Sequence, residues 1–156
     1  MKKLGFLFII LFPLLFKAQI RLTNIYDLYN IKVDQVGSYV LNGLGFKNIG
    51  YNRSESSEDF EFYNGKNIFA EVIYIKVQVP FIGNYKNIVT VRYSNEDYVR
   101  DLKSEAITSG FEYVGKREFT KEKYIHMYIK HNIILSITET KNSNGLYEII
   151  MIPKTE

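Results

Sequence analysis

The feature that most restricts the fold of this chain is a self-similarity at a spacing of about 65 residues. Placing residue n beside n+65 aligns Gly45 with Gly110, Phe46 with Phe111, Gly50 with Gly115, Tyr63 with Tyr128, Asn67 with Asn132 and Ile68 with Ile133. Upstream, a spacing of 66 sets Val33, Val36, Val40 and Leu41 beside Val99, Leu102, Ala106 and Ile107. Glycines, aromatics and apolar residues held in one register imply two copies of a helix-then-strands unit. Two copies are too few for a solenoid, so the expectation is one pseudo-symmetric domain.

Periodicity supplies the elements. Asn24–Leu44 reads as a helix with Val33, Val36, Val40 and Leu44 on one side, ended by Gly45. Ser94-x-x-Asp97 resembles a capping box, and Val99, Leu102 and Ala106 then share a face up to Gly110. Strand-like runs follow each helix: Phe46–Tyr51, Asp59–Tyr63, Ile68–Val79 and Ile88–Tyr93, then Phe111–Glu118, Tyr124–Lys130, Ile133–Glu139 and Leu146–Ile152. Asn64-Gly65 and Asn144-Gly145 lie between such runs, where Asn-Gly favours tight hairpin turns. The fold class expected is α+β. Two tandem α-β4 units, about 24–93 and 94–156, form one antiparallel sheet with two helices packed on one face.

Alternation assigns the faces. Ile125, Met127 and Ile129 separate from Tyr124, His126, Tyr128 and Lys130, and the aliphatic set is expected beneath the helices. Phe60 and Phe62 match that buried set, with Glu61 and Tyr63 opposite. Ile68–Val79 breaks the scheme, because Phe69, Ile73, Ile75 and Val77 fall on the supposedly open side. A covering element or a bulge would account for it.

The N-terminus reads as an export signal. Lys2 and Lys3 precede an apolar run from Leu4 to Phe16, and Lys17-Ala18-Gln19 follows. That run is shorter than the roughly 20 residues a bilayer span takes. Residues 1–18 are therefore expected to be removed, leaving 19–156 as a single exported domain, periplasmic or extracellular. Setting aside Lys2, Lys3 and Lys17 leaves 17 of the 20 basic residues against 17 acidic ones. A neutral domain lacks the basic face that nucleic acid requires. The chain has no cysteine, which removes disulfide and thiolate chemistry and leaves stability to the core.

Chemistry is sparse. No nucleophile elbow, phosphate-binding glycine loop, zinc spacing or calcium loop occurs. The only histidines, His126 and His131, are five apart with a turn between them, so no shared metal and no cofactor is expected. Glu55, Glu58, Asp59 and Glu61 form an acidic cluster on a hairpin, where solvated charge is ordinary. Tyr63, Tyr124, His126 and Tyr128 are the candidate site, an aromatic patch on the open face of the sheet. Tyrosine suits recognition because it joins a large apolar area to a polar tip. Strands favour aromatics anyway, which is the competing explanation.

The arrangement resembles duplicated helix-plus-sheet proteins such as secreted inhibitors of the β-lactamase-inhibitory type and the saddle-shaped TATA-binding fold. The signal resembles those of exported Bacteroidetes proteins. The expectation is a non-enzymatic exported binding module with a protein or peptide partner. The alternatives are a small hydrolase centred on His126 and a structural protein that dimerises through the apolar part of Ile68–Val79.

Overall fold

The computed structural model describes residues 19–66, 71–81, 86–120 and 123–154. The expected export signal, 1–18, lies outside the described residues, as do 67–70 in the expected third strand. Among the described residues the fold is α+β, with three helices and one eight-stranded antiparallel open sheet. In chain order the elements are α1 (Leu22–Asn30), α2 (Val33–Ser38, prolonged by a wide turn over Tyr39–Gly43), β1 (Lys47–Arg53), β2 (Ser57–Tyr63), β3 (Ile73–Pro80) and β4 (Ile88–Tyr93). Next come α3 (Glu96–Thr108), β5 (Glu112–Thr120), β6 (Lys123–Lys130), β7 (Ile133–Thr138) and β8 (Tyr147–Pro153). The sheet order is β1-β2-β3-β4-β8-β7-β6-β5, so β4 and β8 meet at the centre and β1 and β5 are the edges. Among the described residues no helix is long and apolar enough to cross a membrane.

The helices lie on one face. The expected first helix is broken at Ile31, whose backbone is extended. The cause is Asn87, only 4% exposed. Its amide side chain donates to the carbonyls of Leu28 (2.7 Å) and Ile31 (2.9 Å), and its backbone N–H donates to Tyr29 (3.1 Å). Carbonyls orphaned at a helix end are thereby satisfied inside the core. The cap of α3 is Asn95, whose side chain accepts from the Asp97 N–H, and not the expected Ser94. The Ser94 hydroxyl instead accepts from Val72 N–H at 2.8 Å, tying the start of β3 to the end of β4. Gly110 ends α3 with φ +84°, as Gly45 does after α2 and its wide turn with φ +72°.

Two turns differ from expectation. The tight hairpin joins β6 and β7 through His131-Asn132, with His131 at φ +51°. Asn64-Gly65 and Asn144-Gly145 sit in longer connections, because β3 starts only at Ile73 and β8 only at Tyr147. That late start removes the apparent conflict in the third strand. Ile73, Ile75 and Val77 are all buried, while Tyr74, Lys76 and Gln78 face the other way.

One row of paired residues runs under the helices across the sheet: Phe62, Ile75, Val91, Ile149, Ile137 and His126. The core is built on this row and its neighbours, with Leu135, Met151, Val89 and Tyr93 fully enclosed against Ile25, Leu28, Val36, Val40, Leu102 and Ala106. Tyr93 donates its hydroxyl to the carbonyl of Ile20, pinning the chain before α1 to the centre of the sheet.

Candidate binding face

The four tyrosine and histidine candidates do not form one patch. Tyr63 lies on the open face, stacked on Tyr74 with ring centroids 4.9 Å apart. Tyr124, His126 and Tyr128 lie on the helix-covered face, since His126 pairs with Ile137 and Tyr128 with Leu135. The aliphatic residues of β6, Ile125, Met127 and Ile129, occupy the open face instead. The reason is a hairpin one residue longer in the second half. Gly50 pairs with Glu61, eleven residues on, whereas Gly115 pairs with Met127, twelve residues on. Tyr128 thus takes the place of Phe62 rather than Tyr63, and a slip of one residue turns a strand over.

The helix-side group is closely knit. Tyr128 is 5% exposed and its ring lies 5.2 Å from that of Tyr113. The Tyr113 hydroxyl is 3.2 Å from His126 Nδ1. Glu139 Oε1 stands 3.9 Å from His126 Nε2, beyond hydrogen-bond reach, and bonds to Lys116 Nζ at 2.8 Å. Lys116 also sits 4.3 Å from the Tyr124 ring. Burial pushes the His126 pKa below its ordinary value and Lys103 adds to this, while Glu139 pulls the other way. The imidazole braces β5 against β6 in surroundings that disfavour its charged form. The carboxylate that would orient it as a base is engaged by Lys116.

The open face has two unlike halves. On the β1–β4 side, Lys76 bridges Asp59 (2.9 Å) and Glu61 (3.7 Å). At the centre Arg92 on β4 meets Glu148 on β8 at 3.0 Å. Beside this pair a groove of about 500 Å³ opens, lined by Tyr74, Arg92, Glu61, Glu148, Asn142 and Asn144 among others. The loop between β7 and β8 forms one wall. An Asx turn, in which Asn142 Oδ1 accepts from Asn144 and Leu146 N–H, holds that loop. On the β5–β8 side the same face carries Ile125, Met127, Ile129, Ile134, Ile150 and Ile152, all partly exposed and none within the buried core cluster.

Arg92, Tyr74, Glu148 and the isoleucines were the residues sequence reasoning missed. Their signal was present in the strands themselves. Val89, Val91 and Tyr93 alternate with Thr90 and Arg92, and Tyr147, Ile149 and Met151 alternate with Glu148 and Ile150. Comparison of the chain with protein-family models, curated proteins and solved structures finds no match.

Proposed function

We propose that this chain is an exported, non-enzymatic binding module that recognises a protein or peptide through the open face of its sheet. The observation that carries this reading is the groove at Arg92. Aromatic area and an ion pair on the sheet converge there with two asparagines of the β7–β8 loop, which its Asx turn holds in place. Sites of this make-up, largely preformed and with a few fixed polar groups, suit ligand recognition. The export reading rests on Lys2, Lys3 and the apolar run to Phe16, and it takes residues 19–156 as one domain.

That domain we read as two copies of one unit, about 24–93 and 94–156. Several matched features support the reading. The sheet order is the same from either edge, and Phe46 and Phe111 are each 4% exposed. Their N–H groups donate back to Val40 and Ala106, and register breaks fall before Gly50 and Gly115. The first unit carries α1 as an addition.

The test is affinity capture of partners from the producing cell's envelope and culture fluid. Tyr74→Ala combined with Arg92→Ala should weaken capture at least about tenfold, as central interface residues do, and leave the fold intact. His126→Ala should leave capture unchanged. The hydrolase alternative has His126 between Tyr113 and Glu139 in its favour, and it demands turnover that His126→Ala abolishes. Capture indifferent to the groove pair would defeat the binding reading.

A further inference from the structure

We propose that the β5–β8 half of the open face is an isologous interface, closed by a second copy of this chain. The aliphatic side chains on it are contiguous. Ile129 pairs with Ile134, Ile134 with Ile152, and Met127 and Ile150 flank Ser136 in one row. Such a surface has the chemistry of the inner face of a β-sandwich, where two sheets stack about 10 Å apart. Four strands about 4.8 Å apart and roughly six residues long offer about 400 Å² of sheet face per copy, bordered at the Ile125 end by the β7–β8 loop. Two copies bury about 800 Å², or about 1,000 Å² with side-chain relief, the size of a weak, reversible interface.

The charges at the corners say which occupant fits. Along edge strand β5, Glu112 stands level with Ile129 and Arg117 level with Ile125, both on the open face. Along β8 the order is reversed: Glu148 lies at the Ile125 end, and Lys154 continues the alternation at the Ile134 end, its N–H bonded to the Asn132 carbonyl. Acidic residues thus lie on one diagonal and basic residues on the other, Glu148 being shared with Arg92. A two-fold axis in the plane of the interface, along or across the strands, sets every acidic corner opposite a basic one. An isologous contact needs this self-complementarity, and a second copy carries it. Glu112, Arg117 and Lys154 make no ion pair among the described residues, and Glu148 uses only one oxygen for Arg92.

Sedimentation equilibrium of the purified protein across a concentration series is the test. The expected result is a reversible, concentration-dependent monomer–dimer equilibrium. Ile150→Glu should weaken it at least about a hundredfold, because each copy would bury an unpaired carboxylate, with the thermal melt retained. Glu112→Arg, a change at the exposed sheet edge that leaves the core untouched, should weaken it about tenfold by setting like charges together. Restoration by Arg117→Glu places the two-fold axis across the strands, and restoration by Lys154→Glu places it along them. A protein that stays monomeric throughout overturns the proposal, as does a dimer indifferent to Ile150→Glu. A monomer that loses partner capture on Ile150→Glu gives the face to that partner and overturns it too. A monomer still capturing its partner through Arg92 leaves the proposed function standing and removes only the dimer.

Discussion

The two halves of the open face share one sheet and one row of paired residues, yet they are built for different surroundings. From edge to edge the row reads Gly50, Glu61, Lys76, Thr90, then Ile150, Ser136, Met127, Gly115. On the β1–β4 side, charges cross-link neighbouring strands and remain hydrated. On the β5–β8 side the row carries no charge: Ile150 and Met127 flank Ser136, and Gly115 ends it. Cross-strand ion pairs add little stability at such exposure, so their use is to keep that half wet and specific. Apolar area left on a sheet face gains free energy only when something covers it. A sheet of two similar halves can therefore present two different surfaces, each suited to its own contact.

The sharpest break with this picture would be aliphatic residues on the two faces of β7 and β8 behaving alike. Leu135 is fully buried under the helices. Leu135→Ala should cost about 3–4 kcal/mol of unfolding free energy in denaturant titration, whereas Ile150→Ala, measured on the monomer, should cost about 1 kcal/mol. Equal midpoint shifts would place the isoleucine half in the core and dissolve the contrast.

The charged half gives a smaller effect of different character. Lys76→Met leaves Asp59 and Glu61 side by side without their shared cation, and it should cost about 1 kcal/mol or less, shrinking as salt rises. A salt-independent loss would mean that Lys76 acts by packing its stem rather than by its charge.

The smallest expected effect concerns pH on the helix-covered side, which both halves share. His126 has its folded pKa depressed, by burial first and by Lys103 next. The unfolded chain then takes up the proton more readily, at an ordinary value near about 6.5. Stability attributable to this group is full above that value and falls as pH drops through it towards the folded pKa. His126→Gln should flatten the stability curve in this window, read from thermal midpoints between about pH 7.5 and 5. A curve that steepens on this change would reverse the sign of the account.

Much of this architecture was legible in the sequence. The alternation of Ile133–Thr138 and the capped face of Val99, Leu102 and Ala106 depend on neighbours a few residues away, so local pattern sufficed. The site was less legible for a physical reason. The matched pair Tyr63 and Tyr128 invited one register through both hairpins, and a single additional residue between Gly115 and Met127 turned β6 over. A hairpin's length shows as one residue in sequence, but it decides the face of every side chain that follows. The break after α1 was hidden differently. Its cause, Asn87, is 56 residues from Ile31 and becomes a cap only when β4 is in place.

The central claim is that the isoleucine half is closed by a second copy of the chain, while the charged half stays open to solvent until its own ligand binds. Isoleucine methyl NMR with a soluble paramagnetic agent tests it directly, comparing the protein at high concentration with its Ile150→Glu variant. The account predicts that Ile125, Ile129, Ile134 and Ile152 methyls are strongly broadened in the variant and protected in the wild-type protein, while Ile75, Ile137 and Ile149 stay sharp in both. Equal broadening of the open-face methyls in the two samples, with no partner present that protects them, would contradict it.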